Sequence, residues 1–314
     1  MLFPTLFILG GLILLAAGAE GLVRGSSAIA LRLGVTPLAV GLTVVAFGTG
    51  SPELFVSVEA AYRGDSGIAL GNVVGSNISN IALILGLSAR VRPMRVRSPL
   101  LRREVPVMIG VTLFFCLLLL DGVLSRLDGL ILTVGSVAYT VFTYLAARRD
   151  RNAAVAAEFD DALAPPDRPA WVETGLILFG FAALLAGAKL LVSGATELAM
   201  RFGISQVVIG LTVIAIGTSL PELAASVAAT VRGKADVAFG NVIGSNILNI
   251  LLILGVAALI QPIAVQGLRP LDLAVLVASA VLLLPILWRG SILNRWEGGL
   301  LLAGYFLYLG SLLP

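Results

Sequence analysis

The sequence predicts an all-α, polytopic membrane protein with ten transmembrane helices in two inverted-topology five-helix repeats, helices 2, 3, 7 and 8 being broken. Three observations predict it. Hydrophobic residues make up 58% of the 314 positions and charged residues only 12%, about half the charged share of a soluble domain, and the mean hydropathy is +1.03. Apolar runs of about 20 residues recur along the chain, long enough to cross a bilayer, and they do not alternate as barrel strands do. One stretch also returns: Gly41 to Gly86 and Gly210 to Gly255 align without a gap at an offset of 169, with 29 of 46 positions identical.

Taken in order, helix 1 is expected over 3–30, long enough to tilt, and with no Lys or Arg before it the segment reads as a first span and not as a secretory signal. Helix 2 covers 37–61, with an interruption expected at Gly48-Thr49-Gly50-Ser51-Pro52. Helix 3 covers 67–89, with an interruption expected at Gly75-Ser76-Asn77. Helices 4 and 5 follow at 104–120 and 127–147, closing a first unit, 1–147, whose repeated motif is 41–86. A polar stretch, 148–170, holds the basic run at Arg148, a run of acids from Glu158 to Asp161 and a Pro-Pro pair, and reads as a cytoplasmic linker. Helices 6 to 10 are expected at 171–199, 206–230, 236–259, 271–288 and 296–312, forming a second unit, 171–314, with its motif at 210–255.

Placing the N-terminus outside puts 15 Lys and Arg in inside loops and 4 in outside loops, with Arg24 and Lys189 inside helices. Cytoplasmic loops carry the basic excess, so both termini are expected outside and the linker inside. The net charge of +3 is then topogenic, implying the lipid bilayer and no nucleic acid. An odd number of spans per half turns the second copy upside down. Inverted repeats place transport sites near the midplane, where discontinuous helices meet.

Each copy sets a carboxylate, Glu53 or Glu222, in an apolar run, a costly position that reads as functional. In G-T-x-x-P-E the proline removes an N–H and opens the helix, exposing carbonyls near Ala46 and Ala215. Thr49, Thr218 and Ser219 add hydroxyls, and each Thr lies four residues before its Glu, on the same helical face. In G-N-V-x-G-S-N-I-x-N, Ser76 with Asn80, and Ser245 with Asn249, share a face in the same way. Asn72, Asn77, Asn241 and Asn246 read as structural amides at the broken helices. The chain has no His, and its one cysteine, Cys116, lies in an apolar run. An all-oxygen set with two carboxylates suits hard cations such as Ca²⁺ and Na⁺, and one divalent ion neutralises both acids. With no cation present, the two Glu are expected to take up H⁺. Glu20 and Lys189, equivalent in helices 1 and 6, are read as a cross-helix pair or as snorkelling to the surface, and Glu59 as a vestibule residue.

At these motifs the chain resembles the cation/Ca²⁺ exchanger superfamily, specifically the prokaryotic sodium/calcium exchanger (antiporter) type with its α1 and α2 repeats. The resemblance implies exchange of cytoplasmic Ca²⁺ for external Na⁺ across the cell membrane, with no enzymatic step, no cofactor and no obligate protein partner. It implies as ion ligands Ala46, Thr49, Glu53, Ser76 and Asn80, with Ala215, Thr218, Ser219, Glu222, Ser245 and Asn249. Two departures stand out. Gly50 occupies the place of the hydroxyl that Ser219 supplies in the second copy, so that one ligand is either lost or supplied by Ser51, and Asn249 stands where some relatives carry an acid. A Ca²⁺/H⁺ antiporter using the same two Glu, and a cation channel, remain as alternatives.

Overall fold

The computed structural model describes residues 2–33, 37–64, 66–95, 101–150, 169–201, 215–265, 268–288 and 292–312. Ten helical arms run through them. α1 is Leu2–Leu33. α2 is composite: Pro37–Val40, a π-helical segment Gly41–Val45, Ala46–Thr49 and, past Gly50, Ser51–Arg63. α3 runs Ser66–Ser79, then π-helical Asn80–Leu85, then Gly86–Val91. α4 is Leu101–Leu118, α5 Arg126–Asp150 and α6 Ala170–Arg201. α7 comprises Ala215–Thr218 and, past Ser219, Leu220–Val231. α8 runs Ala235–Leu248, then π-helical Asn249–Leu254, then Gly255–Ile260. α9 is Pro270–Trp288 and α10 Arg295–Leu312. Among the described residues six helices are long and apolar enough to cross a membrane, and α2 makes a seventh if its two arms count as one span. Most of the expected linker and the start of helix 7 lie outside the described residues.

Proline sets the breaks in α2 and α7. Pro52 and Pro221 stand in the first turn of the segment after the break, where a missing N–H costs nothing. The chain turns at Gly50 (φ −75°, ψ 3°) and at Ser219 (φ −86°, ψ 5°), and the two arms of α2 meet at 53°. The interruption expected at Gly75-Ser76-Asn77 is displaced. α3 stays α-helical through Ser79, and its irregularity is the π-helical segment beginning at Asn80, repeated in α8 at Asn249. Glycine alone does not force a break: it can adopt helical dihedrals at a cost of about 0.5–1 kcal/mol relative to Ala, which packing can offset.

Burial separates centre from rim. In the spans of α3 and α8, 72% and 78% of the residues are buried, against 33–39% in α1, α4, α5 and α6. α3 and α8 therefore lie in the core, while α1, α4, α5 and α6 each keep most of their surface outward.

α1 and α6 pack antiparallel, backbone on backbone. Glycines recur every seventh residue on each: Gly11, Gly18 and Gly25 on α1, Gly180, Gly187 and Gly194 on α6. A Cβ at Gly18 would stand 2.8 Å from the Gly180 carbonyl oxygen, and one at Gly187 2.8 Å from the Leu15 nitrogen. Small residues at such spacing let membrane helices approach closely.

Two short antiparallel clips join distant loops. β1 (Met94–Arg95) pairs with β4 (Ile292–Leu293), and β2 (Val123–Leu124) with β3 (Ile263–Ala264). The two clips exchange under the same offset of 169 that relates the motifs, with the same register.

Glu20 of α1 does not pair with Lys189. It bonds Arg24 at 2.5 Å and Arg232, in the turn between α7 and α8, through the Arg232 Nε at 2.6 Å. Lys189 is exposed on α6. Burial, with Arg232 and Arg24 nearby, holds Lys234 in the same turn below its ordinary value. Arg32 of α1 bonds the buried Glu173 of α6 at 2.5 Å, while Glu59–Arg63 and Glu197–Arg201 are pairs within one helix.

Candidate ion site

The kinks in α2 and α7 place Glu53 and Glu222 in the first turn of the segment that follows, and both are buried to 1% exposure. Around Glu53 the Ser219 hydroxyl lies 3.3 Å from Oε1, 3.4 Å from the Ser76 Oγ and 3.5 Å from the Ser79 Oγ. Thr218 also reaches Glu53, and Thr49 reaches Glu222. Glu222 Oε1 and Asn249 Oδ1 each lie 3.8 Å from where a Cβ on Gly50 would sit. The two carboxylates are close enough to repel one another.

Amides tie the carboxylate helices to their neighbours. Asn72 donates to the Glu53 carbonyl at 3.2 Å and to the Ser57 Oγ at 2.9 Å. Asn241 repeats this with the Glu222 carbonyl at 3.3 Å and the Ser226 Oγ at 2.9 Å. The Thr49 hydroxyl donates to the Val45 carbonyl and lies 3.1 Å from Asn241 Oδ1.

Glu53 Oε2, Glu222 Oε2 and Asn249 Oδ1 are buried here without a hydrogen-bond partner, and so are Asn80 Oδ1 on α3 and Ser245 Oγ on α8. Buried polar groups are satisfied in all but a small minority of cases, so unpartnered oxygens on these helices are consistent with a ligand site. All are oxygen, and two are carboxylate, which fits a hard cation as cargo. Among the described residues no three Asp, Glu, His or Cys side chains converge.

Of the residues expected from sequence, Glu53, Glu222, Thr49, Thr218, Ser219, Ser76 and Asn249 come together at this cluster, and Asn80 and Ser245 lie four residues from Ser76 and Asn249 on α3 and α8. The Ala46 carbonyl accepts the Gly50 N–H at 3.0 Å, so only its second lone pair is free; Ala215 begins the described part of α7. Ser51 does not join them. Its hydroxyl donates to the Phe47 carbonyl at 3.2 Å, one turn back along α2, so it does not replace the missing hydroxyl at Gly50. A cavity of about 10 Å³, bordered by Ala46, Gly50 and Asn249, lies there instead, about the size of one water sphere. Sequence reasoning missed Ser79, Ser57 and Ser226; the last two repeat at the offset of 169, which was the available signal. It also missed Glu104 of α4, fully buried beside Tyr139 of α5.

Residues 3–145 and 172–313 match the family described as sodium/calcium exchanger protein. The CaxA protein of Alkalimonas amylolytica is 42% identical over 98% of both chains. The sodium/calcium exchanger MaX1 of Methanosarcina acetivorans is 34% identical over 97% of both. Among solved structures, the sodium-calcium exchanger NCX_Mj superimposes with a TM-score of 0.85 at 35% identity, covering 99% of each chain.

Proposed function

The chain belongs to the sodium/calcium exchanger protein family, and from that premise we propose that it is a secondary antiporter moving Ca²⁺ out against Na⁺, by alternating access at the cage between α2, α3, α7 and α8. The observation that carries this reading is that Glu53 Oε2, Glu222 Oε2 and Asn249 Oδ1 are all buried without a hydrogen-bond partner. Two buried carboxylates without a cation between them are costly, so an empty carrier reorients poorly, whereas one Ca²⁺ or several Na⁺ relieve the repulsion. That makes occupancy by the two ions mutually exclusive and links their movements. The ligands are Glu53, Glu222, Thr49, Thr218, Ser219, Ser76, Ser245, Asn80 and Asn249, with the carbonyls of Ala46 and Ala215. The two halves, 1–147 and 171–314, act as inverted units around this site, with both termini outside and ten spans in all. The matched β-clips and the repeated π-helical segments support that symmetry.

The same two carboxylates are also proton acceptors, so H⁺ is the competing counter-ion. Everted vesicles separate the two. An imposed Na⁺ gradient is expected to drive Ca²⁺ movement. Ca²⁺ flux that answers to a pH gradient and ignores Na⁺ overturns Na⁺ coupling, and flux independent of any counter-ion overturns antiport.

A further inference from the structure

Asn77 of α3 and Asn246 of α8 cross where the two halves meet. The Asn77 side-chain amide donates to the Asn246 main-chain carbonyl at 3.1 Å, and Asn246 returns the bond to the Asn77 carbonyl at 3.2 Å. A main-chain carbonyl only accepts, so each of these side chains must present its NH₂ there. That fixes where each Oδ1 lies. Asn249 donates to Asn77 Oδ1 and Asn80 to Asn246 Oδ1, both at 2.9 Å. An oxygen at that point accepts only a donor, so Asn249 and Asn80 must spend their NH₂ on it and turn their own Oδ1 the other way. Those two Oδ1 atoms are the ones left unpartnered, and Asn249 Oδ1 lies on the Glu222 side of the cage. All four asparagines are at most 2% exposed, so water does not compete for these bonds.

We propose that Asn77 and Asn246 are positioning residues that set the polarity of the cage, holding the carbonyl oxygens of Asn249 and Asn80, and never their NH₂ groups, toward the transported cation. This rests on the exchange reading above. A carboxamide is nearly symmetric in shape, and nothing in Asn80 or Asn249 alone decides which end faces the ion. A reversed amide points N–H donors at a cation and removes a ligand. The choice is made one layer out, by backbone atoms that cannot be reversed, and passed through Asn77 and Asn246.

A double-mutant cycle separates this role from helix–helix adhesion. Ca²⁺ binding to purified protein, and the KM and kcat of exchange in liposomes, are measured for wild type, Asn77→Ala, Asn249→Ala and the double variant. Asn77→Ala is expected to weaken Ca²⁺ binding and raise KM about tenfold, the scale of one buried hydrogen bond, with kcat changed less. In the Asn249→Ala background the same change is expected to have less than about a twofold effect, because its target is gone. Equal effects in both backgrounds overturn the positioning role. Asn246→Ala with Asn80→Ala gives the same test in the other half should Asn77→Ala fail to elute as folded protein. Running the cycle with Na⁺ binding as well keeps two failures apart: a wild type that moves no Ca²⁺ overturns the exchange reading, while additive effects on either ion overturn the positioning.

Discussion

Glu53 and Glu222 are costly residues to keep: among the described residues each leaves Oε2 without a partner at 1% exposure. Glu53→Gln or Glu222→Gln keeps the shape and removes one charge. Losing one side of a buried charge pair costs about 3–5 kcal/mol, so Ca²⁺ binding is expected to fall a hundredfold or more while the protein still elutes as folded; calcium uptake by proteoliposomes checks this. Gly50 is the gentler probe. A serine hydroxyl there comes within reach of Glu222 Oε1 and Asn249 Oδ1 and enters the adjoining cavity. Gly50→Ser is expected to change apparent Na⁺ affinity by about threefold to tenfold, the value of one hydrogen bond or ligand contact, read from Na⁺ titration of exchange. The repeat made Glu53, Glu222 and their hydroxyl neighbours legible, because the two copies share them. The crossed asparagines were legible as residue types but not as a network, since their bonds join α3 to α8 across 166 to 172 positions of sequence.

At the scale of elements, the proline-driven kinks in α2 and α7 were readable because proline acts locally. The π-helical segments at Asn80 and Asn249 were not. No residue type compels a π turn, and such segments are placed by packing around functional sites. The glycine ridge between α1 and α6 was visible as spacing but acquires meaning only with the partner helix in place. Gly187→Leu forces α6 away from α1, where a Cβ meets backbone atoms at 2.8 Å. Overpacking of this kind costs about 1–3 kcal/mol, so a lower melting temperature and slower exchange are expected. Gly10→Leu, at a position with nothing within 4 Å, is expected to leave both unchanged; equal effects from the two variants refute the close-contact account.

Across the described residues, the offset of 169 maps one half onto the other in motifs, β-clips and amide pairs, yet the salt bridges do not follow it, among them one that ties α1 to the other half. Glu20 and Arg232 join α1 to the turn between α7 and α8. Their counterparts are Lys189 and Arg63, two cations, which cannot form the same tie; Arg63 bonds Glu59 on its own helix instead. Under the proposed alternating-access reading, identical halves would give end states of equal energy, and this unmatched contact is expected to break that equality. A half-exposed ion pair contributes about 0.2–1 kcal/mol, enough to bias the resting population toward one orientation by up to about fivefold. Lys189→Glu supplies the missing partner for Arg63 and is expected to move that balance back, and Glu20→Gln to remove the bias from its source. Accessibility of a single cysteine placed in the cage vestibule, labelled from each side in turn, measures the ratio. If neither variant shifts it, the unequal charges have no part in choosing which way the empty carrier faces.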